Sequence, residues 1–311
     1  MDKDKIDPSS LSTDPGIAES KPSLCLESMV KVDFGAVSDA GKVRKNNEDH
    51  YLIGRLGRSL EPLMTNMPDG LLPDHIAEYG YGMVVADGMG GAAAGEVASR
   101  MATNLLVKLI IDTGKWGRRI DRDEAEALMD RMEGYYKTIH EQLVQQGEIN
   151  PAIAGMGTTL TAAYSFCSDL FVAHVGDSRV YLFRNGKLRQ LTHDHTMAQR
   201  LADNGDIPQE AVATHRLRHM LTNVLGGHSG PIITEVQQFQ IEDRDRLLLC
   251  SDGLTEMVDD SDIAKVLQKI ENPQKACERL LSSALDAGGK DNITIVIAHY
   301  SFSDMPQEMS P

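Results

Sequence analysis

The chain is predicted to be an α+β protein in which antiparallel sheets are covered by helices. Three observations carry that expectation. Apolar and β-branched runs at 82–86, 247–250 and 293–297 read as buried strands. The strand candidates come in groups and the helices in pairs, which fits antiparallel sheets better than the strict alternation of a parallel sheet. Asn185-Gly186, set between strand-like stretches at 180–184 and 187–191, is a strong two-residue hairpin signal.

Taken in order, residues 1–28 are too polar to bury much surface and are expected to be a disordered extension, with 302–311 a second tail. One domain is expected over 29–301. It opens with a strand at 30–38 and a short strand through Ile53. The segment 54–80, with Pro62, Pro68, Gly70 and Pro73, has no clear period and reads as a long surface loop. A strand ending at Asp87 follows. Helices then take over: 94–113 is rich in Ala and Leu, and 122–145 places Leu128, Met132, Tyr136, Ile139 and Leu143 on one stripe. Strands at 158–166, 170–175, 180–184 and 187–191 form a meander. From 194 to 225 the pattern turns helical and polar, and strands return at 233–239 and 246–250. Two helices precede the last strand. The second has Asn272 as N-cap, Pro273 at its first position, a core face of Ala276, Leu280, Leu281, Ala284 and Leu285, and Gly288-Gly289 as its stop. No internal repeat is apparent.

At 311 residues the chain can bury a sizeable core. Its formal net charge of −15 repels nucleic acid and anionic membranes, so neither is expected as a partner. Cys25, Cys167, Cys250 and Cys277 are widely spaced with no Cys-x-x-Cys, which fits a reducing, cytoplasmic setting. The N-terminus lacks the basic and apolar regions of a signal peptide, and no stretch is apolar enough to cross a bilayer.

Acidic clusters fall where strand-like runs meet loops: Asn46-Asn47-Glu48-Asp49, Asp87-Gly88, Asp252-Gly253 and Asp291-Asn292. If the fold gathers these ends, several carboxylates converge. Such groups repel in a low dielectric and are ordinarily neutralised by divalent cations, which points to a hydrolase built around hard metals. A rival reading exists, because Gly88-x-Gly90-x-x-Ala93 after a strand partly fits a dinucleotide fingerprint. Against it, Asp87 would lie beside a pyrophosphate, and the later Asp-Gly and Asp-Asn sites would go unexplained.

The ordered motifs add a family resemblance. Ser38-Asp39-x-Gly41-x-x-Arg44-x-x-Asn47-Glu48-Asp49, Asp87-Gly88-Met89-Gly90-Gly91 with Gly95-Glu96, Gly157-Thr158-Thr159, Val175-Gly176-Asp177-Ser178-Arg179, Leu191-Thr192-x-Asp194-His195, Ser251-Asp252-Gly253-Leu254 and Lys290-Asp291-Asn292-Ile293-Thr294 follow one another along 32–299. In this order they resemble the metal-dependent protein serine/threonine phosphatases of type 2C, in particular the bacterial branch. The resemblance implies a four-layer α-β-β-α sandwich with a two-metal cleft at one end. It implies that Asp87 bridges two Mn²⁺ or Mg²⁺ ions, with the Gly88 carbonyl on one of them, and that Asp252 and Asp291 complete the other ion. Glu48 and Asp49 would serve the first ion, directly or through water, and Asp177 with Asp252 would hold a third, looser ion. A water shared by the two ions would attack phosphorus in line. Arg44 resembles the phosphate clamp, its planar fork suited to two phosphate oxygens; its rival role is a surface ion pair.

Met89 stands where many eukaryotic relatives have a histidine that protonates the leaving oxygen, so that proton is expected from metal-bound water instead. His193 and His195 are expected to be loop structure, and His174 a satisfied core residue. Residues 197–225 correspond to the flap beside the cleft in bacterial relatives and are expected to influence substrate choice. The resulting expectation is a cytoplasmic phosphatase of phosphoserine and phosphothreonine proteins, opposing a serine/threonine kinase. The alternatives are an inactive phosphoprotein-binding scaffold and a dinucleotide-binding protein.

Overall fold

Every strand pair is antiparallel among the described residues of this computed structural model, which are 30–68, 76–90, 94–113, 122–227 and 230–302. The strands close into two sheets. In spatial order the first holds β1 (Val30–Asp39), β12 (Ile293–Phe302), β11 (Arg246–Cys250), β7 (Arg179–Arg184) and β8 (Lys187–Gln190). The second holds β10 (Glu235–Gln240), β6 (Asp169–Val175), β5 (Leu160–Phe166), β3 (Ile76–Met89), β4 (Gly157–Thr158) and β9 (Leu225–Gly226), with β2 (Asp49–Leu60) also on β3. The helices are α1 (Ala94–Thr113), α2 (Arg122–Ile149), α3 (Met197–Asp203), α4 (Asp252–Thr255), α5 (Asp260–Lys269) and α6 (Pro273–Asp286).

Side-chain alternation sets the layers. Successive residues of a strand face opposite sides, so an apolar run buried on both faces needs cover on both. Met83 and Val85 of β3 pack with Val296, Ala298 and Tyr300 of β12 between the sheets. Their neighbours Val84 and Ala86 pack outward against Ala98, Ala102, Tyr136 and Ile139 of α1 and α2. On the far side Ile293, Ile295 and Ile297 meet Ile263, Leu267, Ala276 and Leu280 of α5 and α6. The result is the expected four-layer sandwich. Burying a large aliphatic side chain contributes about 1.5–3 kcal/mol, and these three clusters supply the cohesion. The buried Tyr136 hydroxyl donates to the Ala173 carbonyl at 2.8 Å, tying α2 to its sheet. The cap of α6 forms as read, with Asn272 Oδ1 accepting from the Lys275 N–H at 2.9 Å.

The structure corrects four expectations. Segment 54–80 is not a loop throughout: β2 runs on to Leu60 and β3 begins at Ile76, so only 61–68 is irregular among its described residues. Cross-strand partners explain it. Arg58 pairs with Glu78 directly opposite, and the Arg55 guanidinium lies 4.3 Å from the centre of the Tyr79 ring. Between 194 and 225 only α3 and a 3₁₀ stretch at 209–214 are helical. The expected strand at 158–166 is interrupted at Thr159, for a reason that belongs to the site below. The final strand extends through Phe302, one residue into the expected tail. The extension expected over 1–28 lies outside the described residues. No helix among the described residues is long and apolar enough to cross a membrane.

Candidate metal centre

Antiparallel order gathers the acidic clusters at one end of the sandwich. Because β11 runs against both neighbours, its last residue, Cys250, pairs with Ile295 near the start of β12 and with Arg179 at the start of β7. Asp252, Asp291 and Asp177 therefore emerge side by side. In the other sheet Asp49 at the start of β2 lies directly opposite Asp87 near the end of β3. Like charges directly opposite on a ladder repel, so this pairing needs an external reason.

Two of the acids are fixed through their main chains. Thr159 sits opposite Asp87, but the Asp87 N–H donates to the Thr159 hydroxyl at 2.9 Å instead of continuing the ladder. The Asp87 carbonyl accepts from the Thr159 N–H at 2.9 Å and the Thr158 hydroxyl at 2.8 Å. This side-chain substitution is what interrupts the strand. Glu48 is pinned through its main chain: its N–H donates to Asn292 Oδ1 at 2.8 Å, and its carbonyl accepts from the Ser99 hydroxyl at 2.5 Å. Asn292 also donates to the carbonyls of Ala40 and Asn46, at 3.1 and 2.9 Å, so one amide stitches the first acidic cluster to the last. Gly88 and Gly95 allow the start of α1 to approach the end of β3; a Cβ on Gly88 would collide with the Gly95 carbonyl.

The electrostatics are unfavourable for protein alone. Burial pushes Asp87 well above the ordinary carboxylate range, and Asp49, Asp252, Asp177 and Asp291 add to the shift. Asp252 is raised likewise, by burial and then by Asp177 and Glu256. Burial raises Asp49 to about 6 although the Ser251 hydroxyl, 2.7 Å from its Oδ2, opposes the shift. Asp177 is raised to about 7 by burial and by Asp194, against the pull of Arg179. Glu48 is raised by burial, while Arg44 opposes it. Asp49 Oδ1 is fully buried with no hydrogen-bond partner. A buried carboxylate oxygen left unpaired is costly, and a hard divalent cation is the partner that an all-oxygen donor set suits. The residues present therefore fit divalent metal.

Arg44 stands at the mouth of this group, with Nη2 2.6 Å from Asp291 Oδ2 and its side chain 58% exposed. That hydrogen bond and the charge of Asp291, then of Asp87 and Glu48, raise its pKa. Met89 is 38% exposed at the end of β3. Asp177 is buried at the turn into β7. The segment 197–225 reaches back to the cleft: His219 pairs with Glu256, and ligand atoms of His219, Asp252 and Glu256 all lie within 4.8 Å of one another. His193 bonds Asp203 at 2.8 Å, as loop structure. Buried His174 bonds Thr161 at 2.8 Å and is held neutral by burial, its pKa lowered to about 3.

Sequence reasoning assigned no individual role to Ser38, Ser99, Thr159, Ser251, Asn292 and Thr294. Ser251 donates to Asp49 and accepts from the Thr294 N–H at 3.0 Å, while the Thr294 hydroxyl meets that of Ser38 at 2.8 Å. Their signal was a hydroxyl or amide beside an acid, or inside an apolar run such as Ile293-Thr294-Ile295.

The protein phosphatase 2C family profile matches residues 74–287. The chain is 36% identical over 268 residues to the serine/threonine protein phosphatase PstP of Mycobacterium tuberculosis, an alignment covering 85% of this chain and 44% of PstP. It thus spans less than half the length of that relative. It is 31% identical over 273 residues to the serine/threonine phosphatase stp of Listeria welshimeri, covering 88% of this chain and 98% of the relative. The crystal structure of the catalytic domain of PstP in complex with 2 manganese ions superposes with a TM-score of 0.68 at 33% identity, over 88% of this chain and 99% of that one. By the extent of these matches and the shared architecture, the chain belongs to the protein phosphatase 2C family.

Proposed function

We propose that this chain is a Mn²⁺- or Mg²⁺-dependent phosphatase that hydrolyses phosphoserine and phosphothreonine in proteins, in the cytoplasm and in opposition to a serine/threonine kinase. The observation that carries the reading is the convergence of Asp49, with its orphaned buried oxygen, on Asp87 and on the raised carboxylates Asp177 and Asp252. The two manganese ions of the PstP catalytic domain and the phosphatase names of both relatives support it.

In this reading Asp87 would be shared by two ions, with the Gly88 carbonyl helping to hold one of them. Asp252 and Asp291 would help hold one ion, Glu48 and Asp49 would serve the other, and Asp177 with Asp252 would hold a third. Bound divalent ions supply Lewis acidity, lowering the pKa of water to near neutrality and offsetting charge on the phosphoryl group. The protein's share is to fix its acids in place: Thr159 and Asn292 pin the backbones of Asp87 and Glu48, and Ser251 donates to the Asp49 carboxylate. Arg44, now paired with Asp291 at the exposed rim, is free to exchange that partner for two oxygens of a phosphate dianion. Met89 has no proton to give, so protonation of the leaving oxygen falls to water.

No observation favours the scaffold reading, and Asp87 lying among carboxylates disfavours a pyrophosphate site. Phosphate release from a phosphothreonine peptide, measured with Mn²⁺, with chelator and for Asp87→Asn, tests the proposal. Activity requiring both metal and Asp87 is the expected result. A folded wild type that binds Mn²⁺ yet releases no phosphate from any of a panel of phosphopeptides would overturn it.

A further inference from the structure

His195 carries hydrogen bonds that the metal reading does not use. Its Nδ1 lies 3.0 Å from the Gly176 nitrogen and 3.1 Å from Asn223 Nδ2, so it accepts from both and the ring proton sits on Nε2. The Asn223 amide is oriented independently, donating to the Ile233 carbonyl at 2.6 Å and accepting from the Ile233 N–H at 3.4 Å. The backbone repeats the link: the His195 N–H donates to the Gly176 carbonyl at 2.7 Å, and the Thr222 N–H donates to the His195 carbonyl at 2.8 Å. Gly176 has φ 120°, and a Cβ there would run into the side chain of Thr159, the residue that holds Asp87. The turn bearing Asp177 is thus clamped between Thr159 on one side and His195 on the other.

A second metal site is the obvious alternative, because ligand atoms of His174, His195 and Glu235 lie within 4.8 Å of one another. The hydrogen bonds argue against it. Both ring nitrogens of His174 are engaged, Nδ1 with Thr161 at 2.8 Å and Nε2 with the carbonyls of Gly176 and His193 at 3.0 and 3.2 Å. A metal would have to displace these bonds in a fully buried ring, and one lone pair of His195 is already shared by two donors.

We propose that His195 is a positioning residue: its Nδ1 couples the closing leg of the 197–225 flap to the Asp177 turn, so that flap register and the placement of Asp177 change together. The kinetic consequence rests on the phosphatase reading; the structural one does not.

The test compares His195→Asn, whose Oδ1 keeps an acceptor near the Nδ1 position, with His195→Gln, whose acceptor lies one bond further out. Asn223→Leu removes the flap half of the coupling and leaves the bond to Gly176. Amide hydrogen exchange across 197–222 should quicken about tenfold in His195→Gln and Asn223→Leu and stay within about twofold of wild type in His195→Asn, the scale of one or two hydrogen bonds. With Mn²⁺, KM for a phosphothreonine peptide should rise about tenfold in the first two variants while that for para-nitrophenyl phosphate moves about twofold or less. The double variant should lose clearly less than the sum of the two single losses, since both remove the His195–Asn223 bond. Equal exchange in the Asn and Gln variants, or additive losses in the double variant, would overturn the inference. Should wild type release no phosphate from either substrate, the phosphatase reading fails while the exchange comparison still decides the positioning role.

Discussion

Two polar clusters sit side by side around the start of β7, and they solve the problem of buried charge in opposite ways. In one, Arg179 donates to both oxygens of Asp194, at 2.9 and 2.6 Å, and to the Tyr181 hydroxyl at 2.8 Å, which donates in turn to Asp260 at 3.0 Å. Gln190 adds a bond to Asp194 at 2.8 Å. In the other, two residues earlier, Asp177 joins Asp49, Asp87 and Asp252; burial raises all four, and nearby acids add to it, Asp194 for Asp177, Asp291 for Asp49, Asp49 and Asp252 for Asp87, and Asp177 for Asp252. Compensated charge needs nothing further. Uncompensated charge of this kind persists when a ligand outside the chain completes it, which is why the second cluster is read as the metal centre and the first as its frame.

The contrast is broken most severely by neutralising a member of the acidic group. Asp252→Asn should cost Mn²⁺-dependent phosphate release on the order of 10³-fold, the scale of losing a preorganised electrostatic group. Without metal the same variant should melt no lower than wild type, because a repelling charge has gone; a clear fall in melting temperature would show that Asp252 belongs to a compensated frame after all. Arg179→Met should behave in the opposite way. It leaves Asp194 buried and unpaired, and should lower the unfolding free energy by about 3 kcal/mol in a denaturant titration. An unchanged midpoint would remove the distinction between the clusters.

The smallest effect is a pH dependence. Asp49 near 6 and Asp177 near 7 hold protons more tightly folded than unfolded, where 3.8 applies. In metal-free protein their contribution to stability is fully present below pH 3.8 and is lost as pH rises through 6 and 7. His174 runs the other way: its pKa falls from 6.5 to about 3, so its contribution is present above pH 6.5 and lost as pH falls toward 3. His174 is not a proposed ligand, so the melting-temperature rise caused by Mn²⁺ isolates the carboxylates. That rise should be small near about pH 5.5, where protons compete with metal, and larger near about pH 8. Equal shifts at both pH values would mean that these carboxylates do not hold the ion.

Much of this was legible beforehand wherever a residue's role depends on near neighbours in sequence. The α6 cap, the Asn185-Gly186 turn and the acids at the ends of apolar runs all needed only local chemistry. The reading failed where partners come from afar. Residues 54–60 contain Gly54, Gly57 and two arginines and have no strand period, yet they pair with β3 because Glu78 and Tyr79 lie across from them. The polar helical pattern over 194–225 likewise gave way to a chain held by His195, Asn223 and the His219–Glu256 pair. Even Arg44 shows the limit: its residue type suggested a phosphate clamp, but its pairing with Asp291, 247 positions away, could not be read from spacing.

What the sequence determined by itself was therefore the layer architecture and the kind of chemistry, since both follow from residue type and period: apolar runs require cover on two faces, and clustered carboxylates require cations. What only the tertiary structure decided was which groups are left unsatisfied. Asp49 and Asp194 are both buried acids, and although Asp49 stands in an acidic cluster, local sequence does not show which of the two the fold pairs with an arginine. Asp194 was given an arginine by the fold, while Asp49, paired across the ladder with Asp87, keeps an unpartnered oxygen, because burial and partnership depend on the distances between strands that antiparallel pairing alone brings together.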